Sequence, residues 1–386
     1  MKKKIAILTT SRADYSLLKN LIIQLKNYKS FDVRVIVSGT HFSHKHGNSS
    51  FNITKDKLFF NKKIFLKNLN IKPWHLTNDV GKISNEISLF LIKKQIDLLL
   101  VLGDRYEVFG AVIGAFFSQV KICHIHGGEK TVGSLDDSMR HAITKLSTYH
   151  FVAHKVYQKR VMQLGEKKSN VFVVGGLGVD NIKNTTFLKK NELEKKLKIV
   201  FKKSSIVVNI LPETNCIEQT KVVTKEILKA LSYFKNITII FTAPGSDFGS
   251  NFILNSIKRF VKNNSNCFFF KNLGEDYLSC LNQADAIVGN SSSGILEMPT
   301  LKKITLNIGN RQTGRIKSET IIDVKPNYNL IKLKLSSILK NKYQHKINSS
   351  SNPYGKGGAT KKIIKILKKI KNNKNNDYKE FYDLKM

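Results

Sequence analysis

Short, nearly continuous apolar runs alternate along this chain with longer stretches in which apolar positions return every three or four residues. In the first half the runs are Ile5–Leu8, Val33–Val37, Leu98–Leu102, Ile122–His126, His150–Ala153 and Val171–Val174. Runs apolar at almost every position predict strands covered on both faces, as in a parallel sheet with helices above and below. Between the first two, Leu17, Leu18, Leu21, Ile22 and Leu25 keep helical spacing and predict a crossover helix. A polar, Lys-rich stretch from Asn181 to Lys203 follows. The strand pattern then restarts with Ile206–Ile210, Ile237–Phe241, Phe268–Phe270, Ala286–Val288 and Ile304–Ile308. The expectation is an α/β protein of two doubly wound, Rossmann-like domains, with residues 1–185 forming the first and 186–358 the second. Residues 359–386 are expected to supply a closing helix and a polar, mobile tail. The stripe Ile363, Ile364, Leu367 and Ile370 on that helix suits a domain core, with a membrane surface as the alternative.

The length of 386 residues is that of two ordinary domains. With 41% hydrophobic and 24% charged residues the composition is globular, which excludes wholesale disorder. The net charge of +37, from 65 Lys and Arg against 28 Asp and Glu, raises nucleic acid or an anionic membrane as a partner. The basic residues are mostly Lys scattered among Asn and Ile along the whole chain, whereas a nucleic-acid footprint is clustered, so neither partner is expected. A positive field also suits a nucleotide diphosphate. Cys123, Cys216, Cys267 and Cys280 lie far apart without a CxxC pair, which argues against a zinc site and a secreted disulfide framework. The apolar run after Lys2-Lys3-Lys4 ends at Leu8, too short for a signal peptide, so the cytoplasm is the expected location.

Ligands of open parallel sheets bind beyond the carboxyl ends of the strands, and the polar residues there are the candidates for chemistry. The first strand delivers Thr9-Thr10-Ser11-Arg12, where hydroxyls and a guanidinium could hold an anion, although an Arg there is more often a surface charge. The third delivers Gly103-Asp104-Arg105; Asp104 reads equally as a catalytic carboxylate or a helix cap. The fourth ends in His124-Ile125-His126-Gly127-Gly128-Glu129, followed by Asp136, Asp137, Arg140 and His141, the densest polar cluster in the chain. Strand alternation would put His124 and His126 on one side. Metal ligation is the rival reading, unsupported by any tight ligand spacing. Asp104, Glu129 and Asp136 together make a plausible acid–base set. In the second half, Asn290, Ser291 and Ser292 precede a helix start that could cradle phosphate, with Glu297 one turn on to accept from a ribose. A Ser-rich cap with a capping-box Glu is the plainer alternative. Arg311-Gln312-Thr313-Gly314-Arg315 follows another strand end.

At these segments the chain resembles the UDP-N-acetylglucosamine 2-epimerase family, in particular its hydrolysing branch of sialic and legionaminic acid synthesis. The matching motifs are Ser11 to Tyr15, Gly103 to Arg105, His124 to Glu129, Asp136 to Lys145, Gly289 to Ile295 with Glu297, and Arg311 to Arg315, in the family's order. The resemblance implies a two-domain fold of the glycosyltransferase B type with the site in the interdomain cleft, and no metal or cofactor. It implies a nucleotide-sugar substrate, UDP- or GDP-linked, and chemistry through a glycal. A base takes the C2 proton as the nucleoside diphosphate leaves C1; water then adds at C1 and a proton returns to C2 from the other face. Asp104, Glu129 and Asp136 are then the proton-transfer candidates. Arg12 and Arg311 would face phosphate, Ser291, Ser292 and Glu297 phosphate and ribose, with Arg105, His126, Asn290 and Arg315 also toward substrate. A non-hydrolysing epimerase is the nearest alternative, a glycosyltransferase of the same architecture a further one, and a homodimer or homotetramer is expected. Two departures stand out. His126 replaces the Glu of the sialic branch's His-Ile-Glu-Gly-Gly, as in the legionaminic type, which Gly175 to Asn181 and Asn352 to Gly355 also resemble; this points to a diacetamido sugar. Leu211-Pro212 replaces the family's His-Pro pair, whose His faces the diphosphate, which makes a catalytically impaired binding relative the third reading.

Overall fold

The computed structural model describes residues 2–43, 48–66, 73–132, 134–214, 216–245, 249–370 and 379–383. The chain divides into two compact units. The first contains a seven-stranded parallel sheet made of β1 (Lys3–Thr9), β2 (Phe31–Val37), β3 (Lys62–Lys63), β4 (Leu98–Leu102), β5 (Lys121–Ile125), β6 (Tyr149–Val152) and β7 (Val171–Val173), in the order β3-β2-β1-β4-β5-β6-β7. The alternation of buried side chains explains the double layer. Ile5, Ile7, Leu98 and Leu100 pack on one face with Leu18, Leu21, Ile22 and Leu25 of the helix Arg12–Lys26. Ala6, Leu8, Leu99 and Val101 pack on the other with Ile83, Ile87, Val108 and Ala111. The strand order reverses between β1 and β4, which places the crevice expected of such sheets beside Thr9–Ser11 and Gly103–Asp104.

The second unit repeats the plan with six parallel strands, β8 (Ser205–Asn209), β9 (Thr238–Thr242), β10 (Cys267–Phe270), β11 (Ala286–Gly289), β12 (Ile304–Ile308) and β13 (Ile321–Val324), in the order β10-β9-β8-β11-β12-β13. Ile206 and Val208 enter one core and Val207 the other. The reversal falls between β8 and β11, beside Leu211 and Asn290. The expected pair of doubly wound α/β domains is present.

The limits of the units differ from the expectation of 1–185, 186–358 and 359–386. The first unit comprises residues 1–129, 136–181 and 354–386; the second comprises 130–135 and 182–353. The helix Ala359–Lys369 therefore closes the first unit. Its stripe of Ile363, Ile364 and Leu367 joins the core of β1 and the helix Arg12–Lys26, which rules out the membrane-surface reading of those residues. The buried Lys3 amine reaches the carbonyls of Leu367 (2.5 Å) and Ile370 at the end of this helix, where a cation is favoured. At its start, Asp180 accepts from the amides of Gly358 (2.5 Å), Ala359 (3.2 Å) and Thr360 (2.7 Å). Part of the tail expected to be mobile is also docked. Lys379 pairs with Glu166 at 2.8 Å and donates to the Ser147 carbonyl at 2.6 Å, and the Tyr382 amide donates to Gly165 at 3.0 Å. Among the described residues no helix is long and apolar enough to cross a membrane.

Candidate active site

In the first unit the carboxyl ends of β1, β4 and β5 gather a dense set of titratable groups. After β1, Asp14 accepts from the Thr9 and Thr10 hydroxyls (2.5 and 2.7 Å) and the Thr10 and Ser11 amides (2.8 and 3.0 Å). This buried carboxylate fixes the turn that presents Arg12 as the first residue of its helix. His41 joins the network through the Thr9 hydroxyl at 2.9 Å, and burial holds its pKa below the usual value. After β4, Arg105 makes a two-pronged pair with Glu107, at 3.1 and 3.0 Å. Glu107 is fully buried and its pKa is raised by burial, against the pull of Arg105. Arg105, expected to face substrate, serves in this structure as the counter-ion of a buried carboxylate.

Arg140 organises the rest. It is buried in the helix Asp136–Leu146, ion-pairs with Asp104, and donates from Nη1 to the Glu129 carbonyl at 3.0 Å, with Asp137 3.7 Å away. One guanidinium thus ties the loop after β4, the loop after β5 and a helix whose first residue, one turn earlier, is Asp136. Asp104, Glu129 and Asp136 are brought to one strand-end region. Motif reading left Arg140 without a role, because its partners lie 36 and 11 residues away.

The two histidines of β5 part company. β5 stops at Ile125, and His126 adopts φ +68°, so the alternation that would put both rings on one side ends there. His124 bridges Thr144 Oγ1 (3.1 Å) and the Gly103 carbonyl (2.8 Å) inside the sheet, and burial drives its pKa down to about 3. It is a neutral strut under Asp104. His126 places Nδ1 3.0 Å from Glu129 Oε1.

The second unit's strand ends are built differently, from backbone and amide groups. Gly289 closes β11 at φ +136°, where a Cβ would lie 2.0 Å from the Asn209 carbonyl oxygen, so only glycine fits. Asn290 follows and holds Leu211 from both sides, accepting from its amide at 2.7 Å and donating to its carbonyl at 2.9 Å. Asn290, expected to face substrate, shapes the loop after β8 through its side chain. Its own carbonyl accepts from Gln312 at 2.8 Å and Arg311 at 3.3 Å, and Arg311 also donates to the Pro212 carbonyl at 3.2 Å. Glu213, which motif reading missed, is buried and accepts from the Asn310 amide at 3.1 Å; burial raises its pKa. Ser291 caps a helix of five residues, Ser292–Leu296, by accepting from the Ser293 amide, and Glu297 ends it. Arg315 is half-buried two residues beyond Thr313.

The segment between Glu129 and Asp136 packs with this second unit. The Val132 amide reaches the Thr313 carbonyl at 3.5 Å, the Leu135 amide donates to Thr214 Oγ1 at 3.1 Å, and Ser134 and Thr214 hydroxyls lie 3.4 Å apart. Gly314, at φ +88°, leaves room for Lys130, whose Cβ would otherwise meet a side chain at 2.8 Å.

The family model for UDP-N-acetylglucosamine 2-epimerase matches residues 23–368. The chain belongs to the UDP-N-acetylglucosamine 2-epimerase family. It is 36% identical over 99% of its length, and 98% of the relative's, to the polysialic acid biosynthesis protein P7 of Escherichia coli. It is 36% identical to the GDP/UDP-N,N'-diacetylbacillosamine 2-epimerase (hydrolyzing) of Campylobacter jejuni, over 83% of this chain and 84% of that one. The crystal structure of the Neisseria meningitidis UDP-GlcNAc 2-epimerase bound to UDP-GlcNAc superposes with a TM-score of 0.81, over 95% of this chain and all of that one, at 17% identity, a likeness of fold. The fold is thus that of the glycosyltransferase B type epimerases. Within this family member, two motifs used for recognition serve architecture: Tyr354 accepts the Gly176 amide at 2.8 Å and meets the Tyr157 hydroxyl at 2.9 Å, closing the first unit where the chain re-enters it.

Proposed function

We propose that this protein is a hydrolysing nucleotide-sugar 2-epimerase, releasing a nucleoside diphosphate and a free, 2-epimerised N-acetyl sugar for nonulosonic acid synthesis in the cytoplasm. The observation that carries the reading is the convergence on Arg140 of Asp104, the Glu129 loop and the helix begun by Asp136. Loss of the C2 proton and its return from the opposite face need more than one proton-transfer group, and this cluster supplies them. Departure of the diphosphate builds negative charge, which Arg12, Arg311 and the Ser291-Ser292 amides and hydroxyls would stabilise more in the transition state than before it. The glycal left behind takes water at C1, and the sugar leaves free. The likeness to the Campylobacter enzyme favours a 2,4-diacetamido sugar, over a ManNAc-type product.

Leu211 motivates the reading of an impaired relative. Its backbone is held by Asn290 on both sides, so the turn keeps its shape without the family's His, and Arg311 on the Pro212 carbonyl brings a cation to the same loop. That supports turnover. The test is hydrolysis of UDP-N-acetylglucosamine and of UDP- and GDP-linked diacetylbacillosamine in oxygen-18 water. The expected result is label in the sugar and none in the diphosphate. Label in the diphosphate, or an epimer still joined to its nucleotide, would sink the proposal.

A further inference from the structure

His126 carries three features that its packing does not explain. A non-glycine residue at φ +68° is strained, and such strain persists where the surroundings impose it, commonly at reactive sites. The residue is only 6% exposed, yet its Nε2 is buried with no hydrogen-bond partner among the described residues, a costly condition in a native fold. Its other nitrogen lies 3.0 Å from Glu129 Oε1, a carboxylate itself 1% exposed. The loop is anchored from behind: the His126 amide donates to the Phe151 carbonyl at 3.0 Å, Arg160 to the Gly128 carbonyl and Arg140 to that of Glu129.

The chain's other buried histidines show what a structural one looks like. His124 has both ring nitrogens engaged. His150 shares a carboxylate partner and an unpartnered nitrogen, but it is unstrained and stands near the amino end of β6, the edge of the sheet away from the crevice. His126 stands just beyond the carboxyl end of β5, on the loop whose Glu129 carbonyl Arg140 holds.

We propose that His126 Nε2 is the base that removes the C2 proton, and that Glu129 acts through it. This rests on the epimerase reading above. A carboxylate at Nδ1 holds the proton there and leaves the lone pair on Nε2, the arrangement of an oriented general base. The Nε2 lone pair takes the C2 proton, the C2–H electrons form the C1=C2 bond, and the C1–O electrons leave with the diphosphate. The proton returned to C2 from the other face comes from a second acid, for which Asp104 and Asp136 are the candidates, and the same group recovers a proton from the attacking water. The imidazolium then loses its proton to solvent, which accounts for the one proton that hydrolysis releases. Glu129, expected from motifs to transfer protons itself, becomes a positioning residue.

The experiment is turnover of UDP-linked substrate by wild type, His126→Gly and Glu129→Gln, with and without added imidazole. Glycine accepts the +68° backbone, so His126→Gly is expected to fold with Tm unchanged or raised. Its kcat is expected to fall about a hundredfold or more, KM to stay near wild type, and imidazole to restore activity in a saturable way. Glu129→Gln is expected to lower kcat less, with KM again preserved. A His126→Gly variant within about tenfold of wild type, or a loss that imidazole leaves untouched, overturns the proposal. Should the wild type turn over no nucleotide sugar, nitrogen-15 spectra of labelled histidine decide independently: protonation at Nδ1 is expected, and protonation at Nε2 contradicts it.

Discussion

The two units share a sheet plan and a crevice position, yet their strand ends are made of different chemistry. Those of the first are crowded with ionisable side chains held out of water, Asp14, Glu107, Glu129, His126 and Arg140, with the half-buried Asp104 paired to Arg140. Those of the second rely mainly on carbonyls, amides and Asn290, with Arg311 tied to two carbonyls and the buried Glu213 accepting from the Asn310 amide. Burial shifts pKa values and fixes proton positions, which proton transfer needs. A preorganised set of dipoles and one or two guanidiniums is what an anionic leaving group needs. Under the proposed function, one fold used twice would divide the labour, with acid–base work in the first unit and charge stabilisation in the second.

The largest expected effect lies in the first unit. Asp104→Asn keeps the shape and removes the charge paired with Arg140; kcat is expected to fall about a hundred- to ten-thousandfold with nucleoside diphosphate binding preserved, as measured by turnover beside calorimetric titration with UDP. Next, Arg140→Met leaves Asp104 with its counter-ion gone, and urea unfolding should show a loss of about 3–5 kcal/mol. The equivalent truncation in the second unit, Arg311→Ala, should leave stability nearly unchanged while weakening UDP binding about ten- to a hundredfold. If both arginines affected stability alike, the proposed division would fail.

A pH dependence should separate the units too. His124 is pushed down to about 3 by burial, below the ordinary value of 6.5. Between those values the unfolded chain binds a proton that the folded chain refuses, so stability is full above about 6.5 and lost as pH falls, by about 1.4 kcal/mol per pH unit. Urea unfolding of His124→Gln between pH 7 and pH 5 should give a shallower decline than wild type. The smallest effect is at the tail: Lys379→Met removes a cation from the end of the helix Asp136–Leu146 and from Glu166, for a loss of about 1 kcal/mol.

Much of this was legible in the chain. Eleven apolar runs became strands, because strands buried on both faces must be apolar throughout. β13 escaped because its four residues include Asp323, and β3 because Lys62-Lys63 carries no apolar signal. The strand-end motifs pointed to loops that the fold gathers at the carboxyl ends of each sheet, yet which side chains meet there was not readable: Arg140 and Asp104 are linked only by the fold, and the turn at His126 breaks a periodicity the sequence suggests. The excursion of residues 130–135 into the second unit rests on contacts with Thr214 and Thr313 far along the chain. In the polar tail, Phe381-Tyr382 was the available sign of docking; the Phe381 ring lies 4.5 Å from the Lys145 amine.

The measurement that tests the central claim most directly is proton NMR of the wild-type protein acting on UDP-linked N-acetylglucosamine and diacetylbacillosamine in deuterated water. A free manno-configured sugar bearing deuterium at C2, released with nucleoside diphosphate, is the expected result. Release of a free sugar that keeps its original C2 proton and configuration would contradict the account, because it would show a site that cleaves C1 without any of the proton transfer assigned to the first unit.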